Sequence, residues 1–384
     1  MSRSSPRKTA ILAVIVMAAL GLLGSEALVR LAFPHSSPDT LRRYSVGYEA
    51  SAYTRIRLAP VGSMVEADAG KARGEKPASA PSDHTFYIND LGFRGPPFHP
   101  VKPPGRLRVF VMGGSAVFDQ NVSDRSAATG GSWPNRAGAL LRQRGIDVEV
   151  INGGTPSHST TDVLGRLISE IWIYQPDVVV LYNGWNDIKN FRAWEITPDA
   201  PLSRVIAPFH PGSDPFRYHT GPVDRLLGHS QLYMKFRDAY HRARSAVGVE
   251  GYLADGEVGS GYGPWGLRQY EQNVEHFVDI VQNMGARPVL TTQAASPDTA
   301  ALRAGGTRYQ LLEPRALATA YEDIHGVTRA VAEAHDVPLL DAAAVLGEDA
   351  RDFSDHVHFS ARGSEAMAGL LAGFLAPLLT DPEV

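Results

Sequence analysis

Apolar residues from about position 107 onward fall into two alternating patterns. Residues 107–112, 148–151, 178–182, 288–292 and 338–341 are short apolar runs rich in Val, Leu and Ile, and they predict strands. The run 178–182 is apolar almost throughout, as expected of a strand covered on both faces. Between the runs, residues 133–144, 161–174, 269–284, 318–335 and 363–379 have helical spacing, clearest at 163, 164, 167, 168 and 171. Strands that alternate with helices predict a parallel sheet with helices on both faces. The expected fold is therefore α/β, a three-layer α/β/α domain of flavodoxin-like type. Its five-stranded parallel sheet should have the order 2-1-3-4-5.

Two regions depart from this rhythm. Residues 191–266 are rich in Gly, Pro and aromatic side chains, with one helical pattern near 230–242. An insertion of that length, on the side where strands end, usually covers a site. At the N-terminus, Arg3, Arg7 and Lys8 precede an apolar run over 10–24, extended by 27–29 and 31–33 and broken only by Glu26 and Arg30. A basic flank before such a run reads as an export signal or a membrane anchor. Length and flank favour an uncleaved anchor over residues 1–34, and cleavage near 25–27 is the competing reading. Either reading places the rest of the chain outside the cytoplasm, in the periplasm, at the cell surface or, after cleavage, secreted. Residues 35–85 read as a stalk, because 67–82 are mostly Ala, Gly, Lys, Ser and Pro and lack the apolar surface to order themselves. The catalytic-type domain then covers 86–384, opening with a strand-turn pattern at 87–95 closed by Pro96 and Pro97.

Composition removes several classes of function. The chain has no cysteine, which excludes disulfides, thiolate metal sites and a cysteine nucleophile. The net charge is −4 and no basic stripe follows the extreme N-terminus, which argues against a nucleic-acid partner.

In an open parallel sheet, ligands bind at the carboxyl ends of the strands. The distinctive residues of this sequence fall there: Gly113-Gly114-Ser115, the loop 152–157, Gly184-Trp185-Asn186-Asp187, and Asp355-His356-Val357-His358 ahead of the last helix. A serine hydroxyl is a weak nucleophile and needs an adjacent base. His358 can take the Ser115 proton, and Asp355 can orient the imidazole and stabilise its charged form. Candidate oxyanion donors are the Ser115 N–H, an N–H in the 154–157 loop and the Asn186 amide.

Each segment alone has a plainer reading. Gly-Gly-Ser is a common tight turn, and Asp355 with His358 can be helix capping. It is the four together, in order and at strand ends, that point to chemistry. His356 competes with His358 as the base, but one residue after Asp355 it points elsewhere in extended chain. A metal site from Asp352, Asp355, His356 and His358 lacks a recognised ligand spacing. Asp187 reads as a structural acceptor, and Trp185, Phe118 and Tyr182 as packing residues. The glycines of 259–263 follow no strand and read as a loop. No Gly-x-Ser-x-Gly occurs, so the nucleophile elbow of the α/β-hydrolases is absent.

Over about residues 86–379 these segments resemble the SGNH (GDSL-like) hydrolase superfamily, closest to its membrane-anchored bacterial members, where an Asn-x-x-Gly-Phe-Arg stretch like 89–94 often precedes the domain. The resemblance implies Ser115 as nucleophile, Asp355 and His358 as the acid–base pair, and Asn186 as side-chain oxyanion donor. It implies hydrolysis of carboxylic esters, such as O-acetyl groups of envelope carbohydrate or acyl groups of lipid, with no metal or organic cofactor. Two positions depart from the family pattern. Gly114 stands where the better-known first block has Asp, and Ser157 stands where the second block has Gly, which leaves Gly154 and Ser157 as alternative N–H donors. An O-acyltransferase using the same residues, and a binding or scaffold protein that keeps the fold without catalysis, are the alternatives.

Overall fold

The structure is a computed structural model. It describes residues 6–32, 48–51, 53–54, 56–58, 60, 62–67, 84–124, 131–188, 191, 227, 230, 232–233, 235–236, 239, 258–298, 310 and 312–380. The chain begins with helix α1 (Pro6–Ala32), followed by two antiparallel pairs, β1 (Tyr48–Ala50) with β2 (Ile56–Leu58) and β3 (Ser63–Ala67) with β4 (His84–Ile88). The domain continues with β5 (Leu107–Gly113), the single turn α2 (Ser115–Phe118), α3 (Trp133–Gln143), β6 (Val148–Gly154), α4 (Thr160–Ser169) and β7 (Val178–Tyr182). It closes with α5 (Pro264–Asn283), β8 (Arg287–Thr291), α6 (Pro314–Ala334), β9 (Leu339–Leu340), α7 (Ala342–Leu346) and α8 (Ala361–Leu379).

Strands β5 to β9 form one parallel sheet in the order β6-β5-β7-β8-β9, which is the expected 2-1-3-4-5 counted from β5. Side chains alternate across it, as the two-residue strand period requires. Phe110 and Met112 of β5, with Val179 and Leu181 of β7, pack beneath α4, α5 and α6. Val109, Val111, Val178 and Val180 face the opposite way, onto Trp133, Ala137 and Leu141 of α3 and onto α8. On α8, Met367, Leu371, Leu375 and Leu379 recur every fourth residue and are buried. Burying one such side chain is worth about 1.5–3 kcal/mol.

Element ends differ from expectation for local reasons. Helices α5 and α6 start about a turn early because Pro264 and Pro314 supply the fixed φ of a first helical turn. The helix expected over 161–174 stops at Ser169 and gives way to a 3₁₀ turn, Ile171–Tyr174, closed by Gln175 in left-handed conformation (φ 53°). Residues 35–85 are not a featureless stalk: β1, β2 and β3 lie within them. β3 takes β4 as its antiparallel partner, Met64 opposite Tyr87 and Val65 opposite Phe86. Most of the Ala- and Gly-rich stretch at 67–82, most of the 191–266 insertion and most of the helix expected at 230–242 lie outside the described residues.

Helix α1 contains a 20-residue segment, Ala13–Ala32, of mean hydropathy 1.9, long and apolar enough to cross a membrane. Its Leu22, Leu23, Leu28 and Leu31 are exposed. Near its C-terminal end, Glu26 pairs with Arg30 at 2.7 Å and accepts hydrogen bonds from Ser230 Oγ (2.7 Å) and Leu232 N (2.9 Å) of the insertion.

Candidate active site

The carboxyl ends of β5, β6 and β7 and the loop before α8 converge on one rim. Ser115 opens α2 immediately after β5, with Gly114 as N-cap. Its Oγ lies 2.7 Å from His358 Nε2. His358 Nδ1 lies 2.7 Å and 2.9 Å from the two Asp355 oxygens. Asp355 Oδ1 also accepts from the backbone N–H groups of Val357 (3.0 Å) and His358 (2.9 Å), so the carboxylate fixes both the turn and the ring. Burial pushes the Asp355 carboxyl up, but the His358 ring beside it, with its hydrogen bond, outweighs burial and holds it below the usual carboxylate range. His358 is 8% exposed, so little water competes for these contacts.

The third strand end adds an amide. Asn186 Nδ2 donates one hydrogen to the His158 carbonyl at 2.9 Å, and Asn183 Nδ2 donates to the same oxygen at 3.2 Å. A carboxamide nitrogen has a second hydrogen, and Asn186 is held beside Gly114, one residue from Ser115: a Cβ at Gly114 would stand 2.5 Å from Asn186 Nδ2 and 3.0 Å from the His158 carbonyl oxygen. The backbone of Gly114, at φ −89° and ψ −150°, is open to any residue, so this close approach is what asks for glycine.

The loop after β6 separates its two donor candidates. Gly154 N donates to the Asn152 side chain at 2.9 Å, and a Cβ at Gly154 would fall 2.2 Å from the amide nitrogen of Phe118. Gly154 thus serves close packing under α2, and its N–H is engaged there. Ser157 has φ 70°, in the left-handed region that favours glycine.

The remaining expectations resolve by partner. Asp187 Oδ1 accepts from Thr160 N (2.9 Å) and Thr160 Oγ1 (2.6 Å), tying the third strand end to the start of α4, a structural role. His356 packs against Trp185 with ring centroids 4.2 Å apart, and its Nδ1 is 3.8 Å from Asp355. Asp352 pairs with Arg362 at 3.0 Å, whereas Asp355 pairs with His358. Trp185, Phe118 and Tyr182 are buried. Two neighbours of the site were not singled out by sequence: Gln120, whose Nε2 is 3.4 Å from His358 Nδ1, and the His158 carbonyl. A backbone carbonyl leaves no mark in sequence, and Gln120 sits in no block.

No curated protein matches the chain. Among solved structures it is similar to a lipase/acylhydrolase from Enterococcus faecalis, at 18% identity over 71% of this chain and 96% of that one, with a TM-score of 0.40. It is also similar to a GDSL-like lipase from Bacteroides thetaiotaomicron (12% identity, 71% and 87% coverage, TM-score 0.36). An acetyl xylan esterase, AlAXEase, is a third (14% identity, 70% and 98% coverage, TM-score 0.40). Residues 111–366, which take in all four strand-end segments, match the GDSL-like lipase/acylhydrolase family; the chain belongs to that family and is a hydrolase acting on esters.

Proposed function

We propose that the protein cleaves carboxylic esters through an acyl-Ser115 intermediate. The observation that carries this reading is the unbroken line Ser115 Oγ–His358 Nε2 at 2.7 Å and His358 Nδ1–Asp355 Oδ2 at 2.7 Å. His358 Nε2 takes the Ser115 proton as Oγ attacks the ester carbonyl, and Asp355 accepts a hydrogen bond from Nδ1–H and stabilises the imidazolium. The oxyanion is met by the second Asn186 Nδ2 hydrogen and by the N–H groups of Ser115 and Ser157. His358 then returns the proton to the leaving alkoxide, and water repeats the sequence to free the acid and regenerate Ser115 Oγ. A scaffold protein would have no need of this alignment.

The substrate is an O-acetylated carbohydrate or an acylated lipid of the cell envelope. Helix α1 supports an anchored chain whose hydrolase domain faces outward, within reach of either class. The test uses the full chain in mild detergent. Wild type should react with a fluorophosphonate and turn over short-chain p-nitrophenyl esters, and both should vanish in Ser115→Ala and His358→Ala. Unchanged turnover in Ser115→Ala, or no labelling of folded wild type, overturns the reading. Acyl transfer to an added sugar, seen by product analysis, would replace hydrolase with transferase on the same residues.

A further inference from the structure

The single-turn helix α2 has every carbonyl that follows Ser115 held by a side chain from another element. Ala116 O accepts from Trp133 Nε1 (2.8 Å), and Val117 O from Asn152 Nδ2 (2.9 Å). Phe118 O and Asp119 O both accept from Arg94 Nη1, the latter at 2.8 Å. Arg94 Nη2 reaches further along the same loop, to Val122 O (2.5 Å) and Asp124 Oδ1 (2.8 Å), and Nε reaches Asp124 Oδ2 (3.1 Å). The guanidinium is fully buried beside the edge-to-face rings of Phe86 and Phe118, 4.4 Å and 5.0 Å from their centroids. A helix this short cannot hold itself, because nucleation is unfavourable and its last carbonyls have no partners within it. Its orientation, and with it that of Ser115, is set from outside.

The Asn-x-x-Gly-Phe-Arg stretch exists to deliver this group. Asn89 Oδ1 accepts from Leu91 N and Phe93 N, both at 3.0 Å, and closes the turn. Gly92 has φ 80°, and a Cβ there would lie 2.6 Å from the Leu58 carbonyl. Phe93 enters the core, and the Arg94 backbone bridges Ile88 on one side and Asn152 on the other. All of this precedes the family-matched residues 111–366.

We infer that Arg94, acting with Trp133 and Asn152, is a positioning residue for Ser115, so that the segment 84–95 is a working part of the active centre. This rests on Ser115 being the nucleophile. The planar fork serves five acceptors at once, which a lysine ammonium cannot do. Arg108 is the control: it is equally buried and bonds to the carbonyls of His99, Pro100 and Tyr174 at the far end of β5.

The experiment compares Arg94→Lys with Arg108→Lys in the full chain. It measures the fluorophosphonate labelling rate of Ser115 per folded molecule, and kcat and KM on a p-nitrophenyl ester. Arg94→Lys should label and turn over at least about tenfold more slowly with KM little changed, since a misplaced nucleophile weakens the transition state and not substrate binding. Arg108→Lys should lose thermal stability and keep the wild-type rate. Equal rates in Arg94→Lys and wild type, or equal slowing in both variants, overturn the inference. If Arg94→Lys does not fold, Trp133→Phe decides: it keeps a ring and removes the donor on Ala116 O, and a wild-type labelling rate there overturns the inference. Wild type that is not labelled at Ser115 defeats the nucleophile assignment itself, a distinct result.

Discussion

At the scale of single residues, the site depends on groups whose ordinary behaviour has been shifted by their surroundings. Asp355 is held ionised, so its contribution to stability is present above the usual carboxylate range and lost as pH falls towards its depressed pKa. Asp119 is the opposite case. It sits at the end of α2, where Oδ2 accepts from Trp133 N (3.0 Å) and Ser364 Oγ (2.6 Å), and burial pushes its carboxyl up to about 6. A raised carboxyl pKa means that the folded state binds the proton more tightly than the unfolded chain does. Stability from this group therefore falls as pH rises from about 4 to about 6, by on the order of 3 kcal/mol. Asp119→Asn keeps an acceptor oxygen and removes the charge. Its urea midpoint should gain on wild type as pH rises from about 4 to about 7, and a constant difference would count against the shift. If Asn186 is the oxyanion donor proposed above, Asn186→Ala should lower kcat about 100- to 1000-fold with KM little altered in steady-state assays and the fold retained.

At the scale of elements, the ends of strands do what their interiors cannot. β5 stops at Gly113, and the chain turns into α2 with Gly114 pressed against Asn186 and the His158 carbonyl. Gly114→Ala should fold, because the nearest obstacle is the tip of a side chain, but it should displace the Asn186 amide. Activity should fall by tenfold or more, about 1.4 kcal/mol per factor of ten, while Tm moves little. A wild-type kcat in this variant would mean that Asn186 can shift without consequence. Ser157 is the reverse: at φ 70° a non-glycine residue is strained by about 1–2 kcal/mol, and Ser157→Gly should hold or raise Tm in a thermal melt with kcat preserved.

At the scale of the whole molecule, the proposed anchor and the insertion carry predictions about where the hydrolase works and on what. An uncleaved α1 predicts that the chain stays with membranes through an alkaline carbonate wash and leaves them in detergent. Recovery in the soluble periplasmic or secreted fraction would point to cleavage instead. Glu26 of α1 accepts hydrogen bonds from Ser230 Oγ and Leu232 N, two described residues of the insertion. Deleting the insertion should change ester preference more than it changes folding of the sheet, read by activity across acyl lengths and by circular dichroism.

The sequence alone determined the sheet, because burial on both faces writes itself as apolar runs and helix packing as three- and four-residue spacing. It also pointed to the candidate chemistry: Ser115 and Asn186 follow the ends of β5 and β7, and the proposed Asp355–His358 pair is local, three residues apart. What it did not contain were the contacts between distant elements. That Gly154 packs under α2, that the His158 carbonyl aims Asn186, and that Arg94 holds the turn carrying Ser115 all depend on backbone atoms brought together only by folding. The strands at 48–67 were hidden for a related reason, since antiparallel pairing can be met by backbone hydrogen bonds that ask little of side-chain pattern.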